Sequence, residues 1–234
     1  IAQYAAEMVH DGDCIQLGFG GIPNAIGFEL MNRHDLGIHT EQIGASMAHM
    51  IQNGVVTNRY KNLDKGWSVG AFIIADNFTY NYVNNHPRIM MRRGRYTNDP
   101  MIIAQQDNMV SINAALQIDL TGQVAAEAIG TVQWSGTGGA TDYAYGAYHS
   151  RGGRAMLCQI STAKKGTVSR IAPILDPGSI VSVSRNLTDM VITEYGVAKL
   201  RQRTVKQRVE NLIAVAHPDF RAELRKEANK YMYF

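Results

Sequence analysis

Apolar positions along the chain alternate between helical spacing and short unbroken runs, the pattern of helices interleaved with buried strands. Ile1, Ala5 and Met8 recur at helical spacing, and His10-Asp11-Gly12-Asp13 closes that segment. The run Cys14 to Leu17 then predicts a strand, Gly18-Phe19-Gly20-Gly21-Ile22-Pro23 a turn, and Ile26, Leu30 and Met31 a helix. Pro23 suits its first turn, where no N–H partner is needed. Further strands are expected at 37–40, 68–75, 109–113, 116–120, 124–129, 155–158, 167–171, 180–183 and 190–193. Further helices are expected at 78–83, 141–148, 204–216 and 218–229. Strands too apolar for an exposed sheet, alternating with helices, predict an α/β fold: a layered, open, mostly parallel sheet covered by helices. No repeat or linker interrupts the pattern, so residues 1–234 read as one domain.

Composition narrows the class. With 45% hydrophobic and 18% charged residues the chain is that of a folded, soluble protein. A net charge of +3, spread along the sequence, argues against a nucleic-acid partner and weakly favours an anionic small molecule. No apolar run approaches the roughly 20 residues that cross a membrane. Cys14 and Cys158 lie in apolar runs without metal-like spacing and read as reduced core thiols of a cytoplasmic protein. The seven histidines form no HxH or HExxH pair, so no metal site is expected. The chain starts at Ile1, within a helical pattern and without Met, as a piece of something longer would.

Two glycine loops are candidate binding elements. Gly18, Gly20 and Gly21 stand between a strand and a helix, where backbone N–H groups can approach a phosphate or a developing oxyanion. The GxGxxG pattern is absent, since Pro23 stands where its last glycine would fall, and no P-loop lysine follows. The same residues also suit a tight turn that packs a helix on a sheet. Ser135-Gly136-Thr137-Gly138-Gly139 is the second such loop, again before a helix.

Three acids compete for a chemical role. Glu41 ends a strand, where ligands of open α/β sheets gather, and a carboxylate there can be base or nucleophile; a capping or surface role is the alternative. Glu194 also ends a strand, whereas Glu127 lies inside one and reads as a paired structural acid. Arg88, Arg92, Arg93 and Arg95 are the densest positive charge, read as a solvated face or a phosphate contact.

Taken in order, several segments resemble class I CoA-transferases of the acetyl-CoA hydrolase/transferase branch, which includes 4-hydroxybutyrate and butyryl CoA-transferases. They are Gly18-Phe19-Gly20-Gly21-Ile22-Pro23-Asn24-Ala25, Asp35-Leu36-Gly37-Ile38-His39-Thr40-Glu41, Asn98-Asp99-Pro100, residues 107–113, Asp119-Leu120-Thr121-Gly122-Gln123, residues 135–139, Thr193-Glu194-Tyr195-Gly196-Val197-Ala198 and Ala216-His217-Pro218-Asp219-Phe220-Arg221. The likeness runs from near residue 11 to near residue 228 and implies the C-terminal half of a protein whose two α/β halves face each other, the N-terminal half being absent here. It carries the catalytic role onto Glu41 and implies that Gly18, Gly20 and Gly21 border the thioester. By the same resemblance Asn98 helps position the glutamate, Gly138 and Gly139 touch coenzyme A or the acyl group, and Glu194 has no catalytic role.

After Glu41, where the family often has Ser-Asp-Gly, this chain has Gln42-Ile43-Gly44-Ala45-Ser46, and residues 47–50 and Gln202 also depart. These changes fall on the acyl side of Glu41 and bear on substrate more than on chemistry. The resemblance thus implies transfer of CoA between an acyl-CoA and a small carboxylic acid through a glutamyl–CoA intermediate. CoA would be a substrate rather than a permanent cofactor, and a homo-oligomer is expected. An acyl-CoA hydrolase with the same glutamate, or a non-catalytic CoA-binding domain, are the alternatives.

Overall fold

The computed structural model describes residues 1–231 as a mixed α/β protein with a mostly parallel sheet. Its contacts fall into two compact units. The first holds Ala2–Asn113 and Asp142–Ala155; the second holds Ala114–Thr141 and the chain from Met156 onward.

In the first unit, β1 (Cys14–Leu17) runs parallel between β2 (Gly37–Ile38) and a longer strand at Met109–Ala114. All four β1 residues are buried, which is why the run is not alternating: both faces of a parallel sheet are covered. Gln16 is accommodated by polar pairing. Its amide donates to Asn113 Oδ1 at 2.9 Å, and its carbonyl accepts from Ser111 Oγ at 3.0 Å. Two short parallel pairs complete the strands: β3 (Gln42–Ile43) with β5 (Phe72–Ile73), and β4 (Ser68–Gly70) with β6 (Ile89–Met91). Met109–Ala114 is β7.

The helices of this unit are α1 (Ala2–Glu7), α2 (Gly21–Glu29), α3 (Ala45–Gln52), α4 (Asn77–Val83), α5 (Gly94–Thr97), α6 (Pro100–Ile103) and, from Asp142 on, α7 (Ala140–His149). Capping explains two starts: Asp76 accepts from Thr79 N–H at 2.9 Å, and Asp99 from Met101 N–H at 2.8 Å with Pro100 following. The expected strand at 68–75 is split at Ala71, because the N–H groups of Ala71 and Phe72 both turn to the carbonyl of Glu41, at 2.8 and 3.1 Å. That split ties Glu41 to the backbone of a neighbouring segment.

In the second unit, β8 (Gln117–Asp119) lies between β9 (Val124–Ala125) and a parallel neighbour at Ile171–Ala172. Hairpins join β10 (Ala128–Ile129) to β11 (Val132–Gln133), and Thr162–Ala163 to Val168–Ser169. Within β12 (Arg154–Cys158), residues from Met156 pair in parallel with Met190–Thr193, which folds back antiparallel on Gly196–Lys199. Helix α8 (Val205–Ala214) opens on a capping box of Thr204 and Gln207, and α9 (Pro218–Lys230) on Pro218. The expected strand at 124–129 breaks at Ala126–Glu127, where Ala126 N–H donates to Ser182 Oγ at 3.0 Å. The run 180–183 is not a strand. It makes only the bridge Val124↔Val183, with Ile180 and Val181 exposed.

No helix among the described residues is long and apolar enough to cross a membrane. Cys14 and Cys158 are buried free thiols, and burial pushes them up to about 11 and about 12, so neither is a thiolate at neutral pH.

Candidate active site

The first glycine turn divides into two kinds of glycine. Gly18 is a packing position: a Cβ there would stand 2.5 Å from Asn113 Oδ1, and its N–H is already donated to Ile112 O at 2.8 Å. That N–H is thereby committed, while Gly18 still lines the cavity beside this turn. Gly20 is conformational. Its φ of 120° and ψ of 175° lie in a region open essentially to glycine alone, and nothing stands within 4 Å of where its Cβ would be. Gly21 is equally open and begins α2.

A second helix start, absent from the sequence reading, meets this turn. α3 begins after Gly44, and like α2 it has a glycine N-cap with no side-chain cap. Both N-termini line one cavity of about 320 Å³, together with Leu17, Gly18, Phe19, Asn24, Gln42, Met47, Ile74 and Ala75. The first-turn N–H groups that remain open (Ser46 N–H is taken by Asn24) and the partial positive charge of a helix start favour anionic or oxyanionic groups. Asn24 crosses between them, its Oδ1 accepting from Ser46 N–H at 3.1 Å. The run from Ala45 to Gln52 was missed because the residues after Glu41 carry few caps or charges; the Gly44–Ala45 start was the available signal.

Glu41 is half-buried, one residue before the cavity-lining Gln42. Its position is fixed from both sides. Thr40 N–H donates to Val69 O at 3.0 Å and Thr40 Oγ1 to Gln42 O at 3.0 Å, while the Glu41 carbonyl holds Ala71 and Phe72. Among the described residues no cation forms an ion pair with the Glu41 carboxylate.

Around Glu41 a hydrogen-bonded hub centres on Thr97. Its carbonyl accepts from Tyr143 OH at 2.7 Å and faces His39 Nε2 at 3.1 Å, and its hydroxyl donates to Asn98 Oδ1 at 2.9 Å. Because that hydroxyl fixes the Asn98 oxygen, the Asn98 amide nitrogen is left to face Asp142, with which it hydrogen-bonds. Asp142 is the residue that sequence reasoning missed. Its carboxyl is raised above the usual range by burial, opposed by the Asn98 hydrogen bond and reinforced by the charges of Glu41 and Asp99. Asn98 thus bonds Asp142 rather than Glu41, and Asp142 is the group that feels both. Its only signal in the sequence was an acid in the first turn of the helix after a glycine loop. His39 is neutral: burial, then nearby Lys61, lowers it to about 4.

The rival acids take structural places. Glu194 accepts from Ser161 N–H at 2.9 Å and Ser161 Oγ at 2.6 Å, and although burial pushes its carboxyl up, these bonds hold it below the usual range. Glu127 is buried, lies between β9 and β10 rather than inside a strand, and forms no ion pair among the described residues, so the paired-acid reading is corrected. In the second unit, Gly138 is exposed with φ 56°, a left-handed conformation, and Gly139 is buried just before α7. Arg92 pairs with Asp64 at 3.5 Å and lies over the Tyr96 ring, while Arg93 and Arg95 are exposed. No cluster of three or more metal-ligating side chains occurs among the described residues.

Glycine-capped helix starts around a cavity at strand ends, with Glu41 one residue before the lining Gln42, suit an α/β unit that holds a small anionic or acyl ligand. The sequence profile of the acetyl-CoA hydrolase/transferase C-terminal domain matches residues 76–228. The chain is 46% identical to the succinyl-CoA:cyclohexane-1-carboxylate CoA transferase of Geobacter metallireducens, over 98% of this chain and 53% of that protein. Against the 4-hydroxybutyrate coenzyme A transferase of Clostridium kluyveri the identity is 44%, over 98% and 54%. Among solved structures, RipA from Yersinia pestis superposes with a TM-score of 0.96 at 45% identity, over 100% of this chain and 53% of that one. The chain therefore belongs to the acetyl-CoA hydrolase/transferase family. It spans about half the length of the curated relatives it matches.

Proposed function

We propose that this chain is the C-terminal catalytic half of an acyl-CoA:carboxylate CoA-transferase and that Glu41 is its nucleophile. The carboxylate attacks the thioester carbonyl, the C–S bond breaks, and CoA leaves as thiolate from an acyl–glutamyl anhydride. The thiolate attacks the glutamyl carbonyl of that anhydride, releasing the first acyl group as a carboxylate and leaving a glutamyl–CoA thioester. A second carboxylate then runs the same steps in reverse. Each addition places negative charge on a carbonyl oxygen. N–H groups at the starts of α2 and α3 are suited to receive it, each donor contributing roughly 3 kcal/mol.

The observation that carries this reading is the placement of Glu41 one residue from a cavity lined by two glycine-capped helix starts. Names of relatives at 40–46% identity, all CoA transferases, support the same chemistry. Asn98 and Asp142 hold the surroundings of the glutamate, and Gly138–Gly139 is assigned to substrate contact. The N-terminal half of the family is expected as partner.

The test is direct. The chain is co-expressed with the N-terminal half of a family relative, incubated with acyl-CoA and reduced with borohydride. A glutamyl thioester becomes an alcohol, so the peptide containing Glu41 changes mass. An unmodified Glu41 peptide in a preparation that turns over refutes the nucleophile assignment. CoA release that does not depend on an acceptor acid marks a hydrolase instead.

A further inference from the structure

Gln42 carries a feature that the transfer chemistry does not use. Its side-chain amide donates to Ile74 O at 2.8 Å. A backbone carbonyl only accepts, so the nitrogen must face Ile74 and the side-chain oxygen is left as a pure acceptor. That oxygen is buried and has no hydrogen-bond partner, in a residue only 8% exposed that lines the cavity beside Glu41. Leu17, Phe19, Ala45, Met47, Ile74 and Ala75 supply its apolar wall, and Asn24, Ser46 and the two glycine-capped helix starts the rest. A buried acceptor without a donor is destabilising, and native structures keep few of them outside functional sites.

Resting on the transfer reading above, we propose that Gln42 selects substrates: its side-chain oxygen accepts a hydrogen bond from a hydroxyl on the acyl group or acceptor acid held beside Glu41. Turning the oxygen toward a group seated in the cavity takes rotation about the soft terminal amide torsion, at the expense of the Ile74 bond. The chemistry discriminates in three ways. A hydroxyl can donate and satisfies the acceptor. A plain alkyl chain fits the apolar wall and leaves the acceptor unpaired. A second carboxylate brings only acceptors and negative charge, so Gln42 gives a dicarboxylic acid no hydrogen bond. The pantetheine amide N–H of CoA is the other donor of suitable chemistry, and the experiment separates the two.

The chain, co-expressed with the N-terminal half of a relative, is assayed with acetyl-CoA as donor and four acceptors: butyrate, 4-hydroxybutyrate, 4-methoxybutyrate and succinate. The methoxy acid keeps the oxygen and removes the donor. The proposal expects kcat/KM for the hydroxy acid to exceed that for the methoxy and alkyl acids by about tenfold or more. It expects Gln42→Leu to bring that ratio close to one. Both readouts are ratios, so they do not depend on how much active protein each preparation holds, and the wild-type series stands even if the variant folds poorly. Equal use of hydroxy and methoxy acids overturns the proposal, as does a preference that survives in Gln42→Leu. A raised KM for acyl-CoA in the variant with the acceptor ratio intact assigns the donor to pantetheine and overturns it too. Transfer without preference sinks this proposal alone; absence of transfer to every acid sinks the transfer reading with it.

Discussion

Acid should weaken the hub under Asn98 through His39, by an amount the structure sets. His39 is fully buried, with Nε2 3.1 Å from the Thr97 carbonyl and Nδ1 buried without a partner. The carbonyl can only accept, so Nε2 carries the proton and the ring is neutral. Burial, helped by Lys61, lowers its pKa from 6.5 to about 4. In the unfolded chain the ring protonates near 6.5, so between pH 6.5 and 4 the unfolded state binds more protons than the folded one. Stability from this residue is complete above that window and is lost as pH falls through it. Linkage gives a loss on the order of 1 kcal/mol by pH 5.5 and roughly 2–3 kcal/mol by pH 4.5.

Urea unfolding of wild type and His39→Gln at about pH 7, 5.5 and 4.5 measures the effect, because the Gln amide can donate to Thr97 and does not titrate. Wild type should lead at neutral pH, and the gap should close by those amounts toward acid. Equal slopes in both proteins would refute the buried, neutral histidine.

Four further variants test the same geometry. Glu41→Gln should lower transfer by about a thousandfold or more and abolish the borohydride-sensitive peptide, measured by turnover and mass spectrometry; retained labelling elsewhere would move the nucleophile. Asp142→Asn should stabilise the protein at neutral pH, where the wild-type carboxyl is charged against burial and against Glu41, and the gain should vanish in acid once that carboxyl is protonated. Gly18→Ala should cost about 1–3 kcal/mol in urea unfolding through overpacking on Asn113. Gly20→Ala, with open space but a φ of 120°, should cost about 1–2 kcal/mol through backbone strain and also slow turnover, a contrast that a purely structural turn would not show.

Much of this protein is written in local signals. Cys14–Leu17, Met109–Ala114 and Met190–Thr193 are strands because largely apolar runs, with Gln16, Ser111 and Asn113 paired to one another, can be buried on both faces of a parallel sheet. The helices at 21–29, 140–149, 205–214 and 218–230 follow from periodicity and from glycine, proline or capping-box starts. The order of motifs also identified the family and singled out Glu41. Tertiary structure alone decided the rest. Whether Gly18 serves packing or binding depends on Asn113, 95 positions away in the sequence, and its N–H is spent on a neighbouring strand. The meeting of Asn98, Asp142 and Glu41, and the unpaired oxygen of Gln42, depend on which distant groups come within hydrogen-bond reach. Periodicity reports which face of an element is apolar, because burial acts on each residue along the chain. It carries no record of which polar atoms face one another once the elements pack, and the chemistry of the site resides in those pairings.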